Sequence, residues 1–350
     1  MKKIVKQVAG IDVAQKELVV CLARMYNDLS RDLYAHKVFA NSKSGIAAFF
    51  QWVIKNTQTD ISVGFVMEAT GVYHETLAYF LYQKKHQVSI VLPNKISNYM
   101  RTLEIKTVTD KTASEAIARF GLERKLDNWQ QPKEIYRRLR QLTRERDQLV
   151  QERTIVKNQL HAEEAEAYPG PSSIKRIKAR IKMLNKQEQD VKAEIQDLIS
   201  TDQQVKEQVK LMTSIPGIGG LTAAIILAET NGFELIQNRR QLASYAGFDI
   251  QEKQSGTSVK GKPRISKRGN KHLRKAMHLP ALAAIRYDQR AKDIFVNLVS
   301  RHGIKMKAAV AVQRRLLEMT YTIFKTKIEY DRNYLDRNKP ETSNTEQALA

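Results

Sequence analysis

Three acids and one serine in this sequence are of types that could bind or act on a phosphate group: Asp12, Glu68, Asp110 and Ser255. Asp12 interrupts GIDVAQKEL, a run from Gly10 to Leu18 that otherwise reads as a buried strand. Glu68 stands near the end of the strand-like ISVGFVMEA, and Asp110 lies in KTVTDKTASEAIARFG, at the front of a helix pattern. Singly, an acid at a strand end is ordinarily a turn or cap residue. Brought together from separate strands and a helix, such carboxylates would repel one another unless a cation bound among them, and hard oxygen ligands suit Mg2+ or Mn2+. Two such ions stabilise both the entering and the leaving oxygen of a phosphodiester displacement. Ser255 sits beside Gly256 in QSGTSVKGKPRISKRGN, among Lys253, Lys260, Lys262, Arg264, Lys267 and Arg268. A serine nucleophile needs close access, a way to lose its proton and positive charge around the phosphate. The stretch supplies access and charge but no evident base. From residues alone, Ser255 reads as a phosphate-binding hydroxyl, with Thr257, Ser258 and Ser266 as its equals.

The elements that must position the acids are legible in hydrophobic patterning. IVKQVAGIDV and LVVCLARMY read as a hairpin across AQKE, and DLYAHKVFA as a third strand. SKSGIAAFFQWVIKN reads as a helix capped by Ser42 or Ser44, with Trp52 on its apolar stripe. ISVGFVMEA is a strand, TGVYHETLAYFLYQKK a helix and VSIVLP a buried strand. The order β-β-β-α-β-α-β predicts an α/β domain over 1–128. With the three acids and a strongly basic chain, it favours an RNase H-like nuclease core.

Beyond it the pattern changes. Ile135, Leu142, Leu149 and Val156 recur every seventh residue, YPGPSS breaks the run, and Ile174, Ile177, Ile181, Leu184, Val191, Ile195 and Leu198 follow on three-four spacing. This predicts a long antiparallel helical hairpin, a coiled coil, over 129–205, whose first arm reaches roughly 50 Å. It reads as a spacer or as an arm that dimerises and grips nucleic acid. A third unit, 206–335, opens with SIPGIGGLTAAIILAE. Its Pro-Gly-Ile-Gly turn resembles a helix-hairpin-helix element, in which Gly217 and Gly219 would let backbone N–H groups approach a phosphate; a tight turn with no ligand is the plain alternative. RRQLASYAGF and KHLRKAMHLPALAAIRYD read as helices flanking a polar basic loop, and 336–350 as a disordered tail.

Composition narrows the partners. The formal charge is +22, from 59 Lys+Arg against 37 Asp+Glu, which points to a polyanion. The one cysteine, Cys21, excludes a disulfide framework and a cysteine-based zinc site within the chain. The seven histidines are scattered with no HxH or HExxH spacing. No apolar run approaches the ~18 residues of a membrane span, so a soluble, cytoplasmic protein is expected. Tyr73 reads as a packing or stacking residue near the acids rather than as a nucleophile.

The motifs together resemble a known family. GIDVAQKEL, MEATGVYHETLAYFL and TDKTASEAIARFG resemble the RuvC-like domain of the DEDD insertion-sequence transposases, the IS-one-ten family, and SIPGIGGLTAAIILAE with LASYAGFDIQEKQSGTSVKGKPRISKRGNKHLRKAM resembles that family's C-terminal domain. The likeness spans nearly the whole chain in the right order. It implies an RNase H/RuvC-like N-terminal domain and an α-rich transposase domain. Asp12, Glu68 and Asp110 fall on the family's first three acids, implying that they hold Mg2+ or Mn2+. The fourth usually stands three residues after the third, where this chain has Ala113; Glu115 is the nearest substitute, although on a regular helix it points some ~140° away from Asp110. Ser255 falls on the family's nucleophile, implying a covalent phosphoserine on DNA and a composite site with the acids. The resemblance further implies donor and target DNA, a structured non-coding guide RNA, and assembly as a dimer or tetramer. The rivals are a metal-only junction-resolving nuclease, with Ser255 as a phosphate contact, and a decayed nucleic-acid-binding protein, which Ala113 favours.

Overall fold

β-Branched and apolar residues dominate the first forty positions, and they fold as a meander of β1 (Ile4–Val13), β2 (Glu17–Tyr26) and β3 (Arg31–Ala40). The structure, a computed structural model, describes residues 2–69, 71–103, 107–234, 236–252, 254–255, 259–261 and 264–332. After the meander come α1 (Lys43–Asn56), capped by Ser42, then β4 (Val63–Glu68), α2 (Glu75–Gln83) and β5 (Gln87–Val91). The sheet order is β3-β2-β1-β4-β5, antiparallel within the meander and parallel from β1 through β4 to β5. One face packs Ala9, Ile11 and Val13 against α1 and α2, with Trp52 partly buried at the edge. The other face, carrying Val8, Cys21, Ala23 and Val66, is covered by α3 (Pro93–Thr102) and α4 (Asp110–Glu123). Sequence reading passed over α3, whose two buried residues, Ile96 and Tyr99, are too few to show a period.

The seating of α4 fixes where its first residue falls. A Cβ on Gly10 would lie 2.3 Å from the Ala118 nitrogen, and one on Gly121 2.8 Å from both the Val8 and Val66 side chains. The helix therefore rests directly on β1 and runs opposite to it. Lys6 closes its far end, donating to the carbonyls of Gly121 and Leu122 at 2.6 and 3.0 Å, a cation at the negative pole of the helix. From Ala118 back to Asp110 the helix advances about 12 Å, which carries Asp110 to the end of β1 where Asp12 stands. Thr109 and Thr112 form a capping box there.

Residues 1–131 and 132–350 are separate compact units. The second begins with α5 (Glu134–Glu164) and α6 (Pro171–Thr201). Their antiparallel run is set by Arg146 meeting Glu188 and Arg153 meeting Asn185. This hairpin was expected as a unit of its own over 129–205. Its base instead shares a core with the helices that follow: Tyr136, Leu139, Leu142, Ile195 and Leu198 pack with residues of α7 (Gln203–Thr213), α8 (Gly220–Thr230) and α9 (Arg239–Tyr245).

The basic stretch is not an open loop throughout. It contains two short antiparallel pairs, β6 (Ile250–Gln251) with β9 (Arg264–Ile265) and β7 (Gln254–Ser255) with β8 (Val259–Lys260). The helix expected next breaks at Met277 into α10 (Lys271–Ala276) and α11 (His278–Tyr287), and α12 (Gln289–His302) and α13 (Lys305–Thr326) follow. No helix among the described residues is long and apolar enough to cross a membrane. The tail expected over 336–350 lies outside the described residues.

Candidate active site

Parallel pairing sets Ile11 beside Met67, so one step further along both strands Asp12 stands beside Glu68. Both are half-buried on the sheet face that α4 covers. Asp110, the first residue of α4, joins them, and all three line one cleft of about 740 Å³ with Asn94, Ser97 and Arg101 of α3, Thr109 and Ala113. Asn41 braces the rim, donating to the carbonyls of Ala14 and Tyr73 at 2.9 and 3.1 Å. That ties the β1–β2 turn to the loop after β4. Tyr73 itself is 40% exposed at this edge.

Burial, then the charges of Asp110 and Glu68, push the Asp12 carboxyl up to about 6, outweighing a backbone N–H bond from Val13. Burial also raises Glu68 above the ordinary carboxylate range. A site that penalises its own negative charge favours whatever neutralises it, a proton or a cation. Among the described residues no three His, Cys, Asp or Glu side chains stand close enough together to clasp one ion. The acids frame the cleft rather than meet at a point. As a donor set of hard oxygens around one cavity they fit a divalent cation in type.

In the second unit, Ser255 ends β7, its backbone opposite Val259 in the short ribbon. Lys253 and Lys262, expected at this site, lie outside the described residues, as do Gly256, Thr257 and Ser258. Lys260 is on β8, and Arg264, Lys267 and Arg268 are exposed. Ser266 separates from the group of equals. Its hydroxyl donates to Asp249 at 2.6 Å and accepts from the Arg268 N–H at 3.2 Å, so it fastens the base of the ribbon. Gly247, at φ +71°, and Gly269 approach each other at that base, where a Cβ on Gly269 would lie 2.5 Å from the Tyr245 carbonyl oxygen.

Two family profiles match the chain: a transposase profile of the DEDD IS110 type over residues 9–169, and one described as the IS116/IS110/IS902 transposase family over residues 209–295. The chain belongs to the IS110, or IS-one-ten, family of transposases. The pilin gene-inverting proteins of Moraxella bovis and Moraxella lacunata are each 27% identical over 331 residues, 93% of this chain and 98% of theirs. An uncharacterized 43.6 kDa protein of insertion element IS110 from Streptomyces coelicolor is 28% identical over 121 residues, 35% of this chain and 30% of its own. Among solved structures, T. thermophilus RuvC in complex with Holliday junction substrate is similar at 14% identity and a TM-score of 0.25, over 33% of this chain and 90% of that one. At that score the likeness carries nothing further.

In this IS110 transposase Glu115, the expected substitute for the fourth acid, does not line the cleft. Its carboxylate meets the His36 ring nitrogen at 3.0 Å, over the meander, and it is absent from the cleft lining, whereas Ala113 is part of it. The helix is regular here, so the rotation that separates Glu115 from Asp110 stands uncorrected. The two glycines of the proposed phosphate turn also part ways. Gly217, at φ +91°, lies so close to α11 that a Cβ would come 2.4 Å from the Pro280 carbonyl oxygen, while Gly219 opens onto free space at the start of α8.

Several residues of the transposase were invisible in the sequence. The α3 row of Asn94, Ser97 and Arg101 needed the helix to be seen first. Glu229 of α8 is 5% exposed and takes two bonds of 2.8 Å from Arg144 of α5 and one of 2.7 Å from Asn270. Burial would raise its pKa, but these partners hold it below the ordinary value. An acid inside AIILAET, an otherwise apolar run, was the one available signal.

Proposed function

We propose that this chain is the recombinase of a bacterial insertion sequence, which cuts and rejoins DNA by transferring a phosphodiester to Ser255. The observation that carries the reading is the cleft framed by Asp12, Glu68 and Asp110, with Asp12 pushed up to about 6. These three carboxylates would hold Mg2+ or Mn2+, which when bound supplies charge neutralisation at the phosphate and eases ionisation of an attacking hydroxyl. The Ser255 oxygen forms its bond to phosphorus as the bond from phosphorus to the departing strand's oxygen breaks. That oxygen leaves with the electron pair and takes up a proton, while the serine proton passes to solvent. The result is a phosphoserine ester that stores the bond energy until the hydroxyl of a second strand reverses the step. Arg264, Lys267 and Arg268 supply positive charge along the DNA backbone.

Relatives named as gene-inverting proteins, matched across nearly their full length, support strand exchange over simple hydrolysis. Donor and target DNA are the substrates, selected by a structured non-coding RNA whose loops pair with each, while the protein reads shape and backbone. The net charge of +22 supports two nucleic acids on one surface. The α5–α6 hairpin, as a coiled coil, serves as the assembly arm of a dimer or tetramer.

The test is a denaturing gel that follows labelled DNA with the element's RNA and Mg2+, comparing the unaltered protein with Ser255→Ala and Asp12→Ala. An adduct lost in both variants supports the reading. Free ends that persist in Ser255→Ala but vanish in Asp12→Ala replace it with metal-only hydrolysis. Intact DNA in every lane replaces it with a decayed binding protein.

A further inference from the structure

We propose that the cleft-facing row of α3, Asn94, Ser97 and Arg101, is the protein's own grip on the backbone phosphate that the acids act upon, with Arg101 as its anchor. The inference rests on the metal-dependent phosphodiester reading of the acidic cleft.

At 100° per residue, Asn94, Ser97 and Arg101 fall within about 60° of arc, with Tyr99 on the opposite side and Ile96 and Met100 flooring the cleft between them. Ile96 is 1% exposed and Tyr99 7% exposed. Tyr99 meets Phe120 of α4 edge-on at 5.2 Å. The helix is thereby fixed in rotation, and its exposed polar row lines the same cleft as Asp12, Glu68 and Asp110. Three carboxylates and one guanidinium line this cleft, yet among the described residues no hydrogen bond or ion pair engages Arg101. It has not been spent on neutralising the acids.

Acids alone repel a phosphodiester, and a cation held among them presents charge from one side only. A guanidinium from the α3 side of the cleft offers two parallel N–H donors to the non-bridging oxygens, and its planar fork matches that geometry better than an ammonium does. The Ser97 hydroxyl and Asn94 amide add neutral donors along the same line, spaced for a backbone running along the helix. A purely local role is also available, since Arg101 is the basic residue of the last turn of α3 and complements the helix dipole there. That role would be served equally well by a side chain turned to solvent; it does not account for a three-residue polar row turned to the cleft.

Arg101 is exposed and has no partner among the described residues, so its replacement is expected to leave folding intact, checked by circular dichroism. The probe is a thymidine dinucleotide with a single phosphodiester, added to full-length protein loaded with Mn2+, and the readout is 31P relaxation enhancement. That signal senses only phosphate close to the ion, so the basic surface elsewhere does not mask it. Arg101→Gln is expected to lower the enhancement at least about fivefold and Arg101→Lys to fall between, a bidentate contact being lost or reduced to a point charge. Lys95→Gln, on the same helix but off the cleft, leaves it unchanged. Mn2+ affinity, read from the electron paramagnetic resonance of the free ion, is unchanged in all three. Equal enhancement in Arg101→Gln and the unaltered protein overturns the inference, as does no enhancement in the unaltered protein despite bound Mn2+. Failure of the unaltered protein to bind Mn2+ in an Asp12-dependent way is a different result, which overturns the acid-site reading and this inference with it.

Discussion

Asp12 shows how a single residue can couple folding, protons and cations. It keeps its proton to about pH 6 in the folded chain against 3.8 for the free side chain, so folding takes up a proton between those values. Its contribution to stability is therefore greatest below about pH 4 and is lost as pH rises through 6, a decline of about 1–2 kcal/mol after allowance for solvent screening. Thermal melts in chelator from pH 4 to pH 8 should show this decline, and Asp12→Asn should remove it and raise the neutral-pH midpoint. Added Mg2+ should stabilise increasingly as pH rises through 6, because cation and proton compete for the same oxygens. An unaltered pH profile in Asp12→Asn would contradict the assignment. Asp12 and Glu68 were legible because each breaks an apolar strand, and a carboxylate there demands a reason. Arg101 was not, because one arginine among 59 basic residues carries no mark of its own, and only the rotation of α3 sets it apart.

At the scale of elements, the α5–α6 pair was readable from its spacing, with one gap. The seam of α6 runs Leu184, Val191, Ile195, and position 188 between them, where an apolar residue belongs, is a glutamate 2% exposed. Glu188 takes hydrogen bonds from Arg146 at 2.8 Å, from Arg153 and, as an ion pair at 3.0 Å, from Lys192. Burial would raise its pKa, but the three cations reverse that and hold it at about 2. Its stabilisation is present above pH 4.5 and is lost as pH falls toward 2. Glu188→Ala should destabilise the unit by about 3 kcal/mol by stranding the cations, measured by urea unfolding at pH 7, and the loss should shrink at acid pH. A heptad search is blind to such a residue because it scores polarity as an interruption. The ribbon was illegible for a different reason: strands of two residues show no alternation, and their pairing depends on Gly247, Gly269 and the Asp249–Ser266 bond at its base. The first three strands, ten residues each, were legible as strands in the sequence.

For the whole molecule, two units with separate cores imply separable stability. Residues 1–131 made alone should fold and bind Mn2+ with the affinity of the full chain, checked by circular dichroism and titration; a fragment that fails to fold would show that the first core depends on the second. The same fragment should form no DNA adduct, since Ser255 belongs to the other unit. Within that other unit, Glu229 has a mechanical consequence. Arg144, at the root of the long arm, holds Glu229 with two bonds, and Glu229 holds Asn270, whose side chain caps α10 directly after the ribbon. The arm is a lever some tens of ångströms long, and its fulcrum is bolted to the ribbon's exit. A twist of the arm at its root is therefore transmitted through two hydrogen-bonded joints to the cap of α10.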